Sequence, residues 1–149
     1  TVKEHLSFMR RAYRMPEDGY GDALLERLEL IDKKDKLGRE LSKGMQQKLS
    51  IACALVHRPK LIVFDEPLVG LDPHAIKELK AMIRELKAEG AAILISTHML
   101  DSVEESWDVA HILMHGRFAA TMHHREEASG ERSLSELFFA ITEGKEGKA

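Results

Sequence analysis

The chain has one cysteine, Cys53, in 149 residues, so no disulfide can form within it. Cys53 stands in an apolar helical run, which points to a buried thiol in a reducing compartment. Nowhere does an apolar run reach the roughly 20 residues that a membrane-crossing helix needs, so any membrane role has to come through a partner. Neither sign of charge is in large excess. The net charge of −3 gives no pull toward nucleic acid, and no nucleic-acid partner is expected. Internal repeats and low-complexity tracts are also missing. What remains is 44% hydrophobic and 32% charged, the composition of an ordinary globular domain with a modest core.

Against that background one stretch stands out: Leu61-Ile62-Val63-Phe64-Asp65-Glu66-Pro67. A short apolar run reads as a strand buried on both faces, as in a parallel sheet. Pro67 offers no backbone N–H and biases Glu66 away from helix, so the strand ends there. The two carboxylates then lie at the end of an α/β sheet where ligands collect. Two acids at that place suit a metal–phosphate site, one to hold the cation and one to handle a water.

The elements around it alternate. Thr1 and Glu4 fit a capping box for a helix expected to end near Met15, and a second helix is expected from Asp22 to Leu30. Arg10, Arg11 and Arg14 read as a solvated basic face. Ser42 caps a helix expected to reach His57, with Met45, Leu49, Ala52, Cys53 and Val56 as its apolar stripe. Its N-terminus, with free N–H groups and Gly44 allowing close approach, suits a phosphate. Asp72-Pro73 starts a helix to about Glu89, with Gly90 as its C-cap. Ala91 to Ser96 is a second buried strand, giving a β-α-β order and hence a parallel pair. Beyond it are His98, a short helix from Asp101 to Trp107, and a hairpin turning at His115-Gly116. A capping box at Ser133 opens a last helix, and Glu143 to Ala149 is expected to be an unstructured tail. His111, His115, His123 and His124 have no cysteine partner or zinc-type spacing and are read as solvated strand faces.

Four of these segments, in this order, resemble the ATP-binding-cassette (ABC) ATPases. Leu41-Ser42-Lys43-Gly44-Met45-Gln46-Gln47-Lys48 resembles the signature motif and Leu61 to Glu66 the Walker B strand. Gly70-Leu71-Asp72 resembles the D-loop, and His98 the switch histidine. The resemblance spans nearly the whole chain. It implies an α/β fold: a partial P-loop NTPase core with parallel strands, a helical subdomain, and a C-terminal hairpin and helix. The divisions would be 1–57 for the helical subdomain and signature helix, 58–124 for the core, and 125–149 for the last helix and tail.

The resemblance also implies roles. Asp65 would orient magnesium, Glu66 would be the general base, and His98 would position the γ-phosphate of ATP. Ser42, Lys43, Gly44 and Gln46 would meet the ATP of an opposing subunit, and Asp72 would link the two sites. The signature departs from the common Leu-Ser-Gly-Gly-Gln: Lys43 replaces a glycine and Met45 the glutamine, with Gln46 as a partial substitute. Implied partners are a second ATPase subunit and a transmembrane permease, at the cytoplasmic face of the membrane.

No Gly-x-x-x-x-Gly-Lys-Ser/Thr loop occurs in the chain. The expectation is therefore a C-terminal part of a longer ATP-binding subunit, inactive by itself, and the opening Thr1 in place of Met fits that. The strand carrying the missing loop would leave an apolar gap and unpaired sheet edges, making the isolated chain marginal as a monomer. Two competing readings are a soluble ABC ATPase of DNA repair or translation, and a non-catalytic half-cassette. The short helical region and the absence of basic charge argue against the first, and the retained Glu66 and His98 against the second.

Overall fold

Local signals at the start of the chain work as the sequence predicts. In the computed structural model, which describes residues 1–100, 107–124 and 134–146, helix α1 (Val2–Ala12) begins with a reciprocal Thr1/Glu4 capping box. It stops earlier than Met15, because Arg14 takes a left-handed φ of +55° and turns the chain out of the helix. Helix α2 runs from Tyr20 to Arg27, starting sooner than expected. Its start is set by Gly19 at φ +76° and by Asp18, whose carboxylate accepts the Tyr20 N–H at 3.0 Å. Leu28 and Leu30 lie past its end yet are fully buried. Their apolar character therefore marks the core rather than the helix.

Helix α3 (Lys43–Leu55) has Ser42 as its N-cap, the Ser42 hydroxyl accepting the Met45 N–H at 3.3 Å. Helices α1 and α2 both pack on α3. Strand β1 (Leu61–Asp65) pairs in parallel with β2 (Ala92–Ser96), and α4 (Pro73–Ala88) makes the crossover and packs against β2. This is the predicted β-α-β unit, with Asp72 capping α4 and Pro73 in its first turn. Gly90 at φ +90° leads into β2.

One expectation fails. Strand β1 is not buried on both faces: Ile62 and Phe64 are buried, but Leu61, Val63 and, on β2, Leu94 are exposed. The reason is topological. A single crossover helix covers only one face of a strand pair, so the other face of β1 and β2 stays exposed. Cys53 is likewise only partly buried.

The chain divides into two units, Thr1–Thr97 and His98–Ala149. Residues 58–97 thus group with the helical segment 1–57. In the second unit β3 (Val109–Met114) and β4 (Arg117–His123) form an antiparallel hairpin. Its turn residues His115 and Gly116 both have positive φ, +49° and +74°, as a tight hairpin turn demands. Helix α5 (Leu134–Glu146) lays Leu134, Phe138 and Ile141 on Ile112 and Met122. It continues through residues 143–146, which the composition had assigned to a tail. The helix expected from Asp101 to Trp107, except Trp107 itself, and the Ser133 cap lie outside the described residues. Among the described residues no helix is long and apolar enough to cross a membrane.

Candidate nucleotide site

The parallel register places Asp65 opposite Ser96 at the carboxyl ends of β1 and β2. The Ser96 hydroxyl donates to the Asp65 carboxylate. One residue on, the Thr97 hydroxyl donates to Glu66 Oε2 at 3.1 Å, and the Glu66 N–H donates to the Ser96 carbonyl at 2.9 Å. Two carboxylates are therefore held by two hydroxyls across a strand pair. Glu66 has a φ of +46°, a region that residues other than glycine rarely adopt and that recurs at functional sites. The Val69 N–H donates back to its carbonyl at 3.3 Å and closes the turn. Side chains alternate along a strand, so Asp65 shares the open face of β1 with Leu61 and Val63.

The segment 67–72 that follows lies under α3. A Cβ on Gly44 would stand 2.6 Å from the Gly70 carbonyl oxygen, a distance no side chain tolerates. The Gln47 amide donates to the Pro67 carbonyl at 3.2 Å. Lys48 Nζ lies 2.7 Å from Asp72 Oδ2 and 3.1 Å from Glu29 Oε2. Asp72 also accepts the Ala75 N–H at 2.9 Å through Oδ1, so one carboxylate caps α4 and pairs with Lys48.

The Lys48 hydrogen bond, with that of the Ala75 N–H, holds the Asp72 carboxyl at about 2. The carboxylate charge therefore persists above the ordinary carboxylate range and is lost as pH falls toward about 2, while the link to Lys48 also ends at alkaline pH, where the lysine gives up its proton. Burial works against the Lys48 charge, but the hydrogen bonds of Asp72 and Glu29 outweigh it and raise its pKa. Burial pushes the Cys53 thiol up to about 11, so it remains protonated and is not a nucleophile at neutral pH.

The structure thus brings together Asp65, Glu66, Ser96 and Thr97 at the strand ends, and Gly44 and Asp72 through the loop between β1 and α4. The rest are placed separately. Ser42 is spent as a helix cap, and Lys43 is exposed beside it. The Gln46 amide donates to the carbonyls of Gly38 and Leu41, both at 3.2 Å, and so secures the segment leading into α3. His98 directly follows Thr97 in sequence and belongs to the second unit, while the other candidates belong to the first. His111 is occupied on the hairpin, its Nδ1 lying 2.9 Å from the Thr121 hydroxyl.

Sequence reasoning missed Ser96, Thr97, Gln47 and Lys48. The first two were within reach: strands that end Asp-Glu and Ser-Thr in one parallel register must set acids beside hydroxyls. Gln47 and Lys48 stand three and four residues after Gly44, on the same helical face, which alone does not say what that face meets.

A family model described as "ABC transporter" matches residues 1–69. The ABC-type transporter ATP-binding protein EcsA of Bacillus subtilis is 34% identical over 158 residues, covering 99% of this chain and 62% of EcsA. The chain belongs to the ABC transporter ATP-binding family. The Nod factor export ATP-binding protein I of Rhizobium meliloti is 38% identical over 120 residues, covering 78% of this chain and 40% of that protein. Among solved structures, an ATP-binding subunit of an ABC transporter superposes with a TM-score of 0.86 at 38% identity, covering 95% of this ABC chain and 62% of the other. The chain spans only part of the length of the curated relatives it matches, from 31% to 62% among them.

Proposed function

We propose that this chain carries the water-activating half of an ATPase site in a transporter's ATP-binding subunit of bacterial exporter type. The observation that carries the reading is the pair Asp65 and Glu66, held by the Ser96 and Thr97 hydroxyls where two parallel strands end. Phosphoryl transfer asks a protein mainly for positioned charge and an oriented nucleophile. Asp65, on the open face beside the Ser96 hydroxyl, presents the hard oxygen donors that magnesium takes together with substrate phosphates. When bound, magnesium would neutralise charge on the phosphates of ATP. Glu66, fixed in its strained turn, accepts a proton from the attacking water as general base. His98 positions the phosphate that is attacked. The start of α3, with Ser42, Lys43, Gly44 and Gln46, faces the ATP of a second subunit, and Asp72 links the two sites.

The chain has no lysine-bearing phosphate loop. Wrapping the triphosphate in backbone N–H groups is therefore the work of residues beyond these 149. Energy from hydrolysis would pass to a transmembrane permease, which would hold the subunit at the cytoplasmic face of the membrane.

The test is Glu66→Gln in the complete subunit, with magnesium-ATP binding and hydrolysis measured side by side. Binding is expected to persist while turnover falls by about 10²- to 10⁴-fold, the usual contribution of a general base. Turnover at the unsubstituted rate would refute the assignment.

A further inference from the structure

One face of α3, positions 44, 47 and 48, makes three different contacts with the single loop that runs from Glu66 to α4. Gly44 meets the Gly70 carbonyl with no room for a side chain. Gln47 holds the Pro67 carbonyl, immediately after the proposed base. Lys48 ties Asp72, where α4 begins. Lys48 is the one buried charged residue among the described residues, 6% exposed. It also reaches back to Glu29, which sits beyond α2 at a φ of +57°. Placing a lysine where an apolar side chain would pack more cheaply is a poor way to gain stability. Two carboxylates from different elements nonetheless converge on it.

We infer that Lys48 and Gln47 are positioning residues. They clamp the 67–72 loop to α3, so that the helix end facing one nucleotide and the turn holding Glu66 move as one body. The inference rests on the ATPase reading above. It adds that the base is aligned from α3 and not only from the strand ends. A loop released from α3 leaves Glu66 in its strained φ without the Pro67 anchor, and the water it orients is misplaced. Substrate affinity has no reason to change, because neither side chain is needed to hold ATP.

The experiment compares Lys48→Met, Lys48→Arg and Gln47→Leu in the complete subunit, reading kcat and KM for magnesium-ATP and the thermal midpoint. Lys48→Met is expected to lower kcat about 10- to 100-fold, the cost of a small misplacement near the chemistry. KM should hold and the folded fraction should remain. Lys48→Arg should restore most of kcat. Gln47→Leu, which removes no charge, should lower kcat in the same direction and serves if Lys48→Met does not fold. Unchanged kcat in Gln47→Leu or in a folded Lys48→Met, or a fall in Gln47→Leu matched by loss of folded protein, would overturn the inference. Glu66→Gln run in parallel separates the two claims. If it lowers turnover while Lys48→Met and Gln47→Leu leave kcat unchanged, only the clamp fails. If Glu66→Gln retains turnover, the ATPase reading fails first.

Discussion

Ile62 and Val63 are neighbours in one strand and live in opposite surroundings. Ile62 is 4% exposed and Val63 is 66% exposed. On the Ile62 side the β1–β2 pair has a cover, with α4 packed on β2 and Phe64 buried as well. On the Val63 side, Leu61, Val63 and Leu94 form a bare apolar surface, and Asp65 stands at its end. A parallel strand pair joined by one helix can bury one face only, whatever its sequence. Apolar composition thus records the surroundings a strand is suited to, and topology records the surroundings it has. The acid pair sits at the boundary: Asp65 points to the bare side, and Glu66 is turned out of the strand by its left-handed φ.

The sharpest way to break this comparison is to truncate the covered side. Ile62→Ala removes buried methyl groups beneath a helix that cannot fully collapse, and should cost about 2–5 kcal/mol. That equals a large part of the stability of a small domain. Denaturant unfolding of the chain should show the midpoint fall steeply, at an m-value that stays the same if the folded state is otherwise unchanged. A midpoint within error of the unsubstituted chain would mean that the covered face is not packed as the structure has it.

A smaller effect is expected where α3 meets the loop. Gly44→Ala pushes a methyl to within 2.6 Å of the Gly70 carbonyl oxygen, a rigid backbone atom. Overpacking of this kind costs about 1–3 kcal/mol, and the gain of alanine over glycine in a helix, up to ~1 kcal/mol, offsets part of it. A net loss of about 1 kcal/mol in the chain without nucleotide would show that Gly44 is required inside the subunit, before any phosphate approaches. Unchanged stability would leave phosphate approach as the sole reason for glycine there.

Much of this was legible in the sequence, and the exceptions share a cause. The caps Thr1, Ser42 and Asp72, the β-α-β order and the His115-Gly116 turn are local signals, and each appears where its residues stand. The ends of α1 and α2 were misjudged because Arg14 and Glu29 adopt positive φ without being glycine, and nothing local announces that. Leu28 and Leu30 serve the core from outside the helix. The acids Asp65 and Glu66 were legible from the strand that ends in them. Their hydroxyl partners and the Lys48 clamp were not, because each contact joins elements far apart in the chain, 31 positions apart for Ser96 and Asp65. The bare face was misread because a single strand cannot report how many helices cover its sheet.

The smallest effect is the most informative about that face. Val63→Thr keeps the branched β-carbon that suits a strand and exchanges one methyl for a hydroxyl. At a buried position this swap leaves a hydroxyl without water and is costly. At an exposed one it should change stability by no more than about 0.5 kcal/mol. The expected result is a denaturation midpoint that does not move, beside the large shift of Ile62→Ala one residue away. Repeating the measurement over a range of protein concentrations separates two kinds of failure. A loss that is the same at every concentration would mean that Val63 is covered within the chain, contrary to the structure. A loss that grows with concentration would mean that another copy covers it, because only association makes stability depend on mass action. A flat, near-zero response at all concentrations is the signature of a strand finished on one side and open on the other.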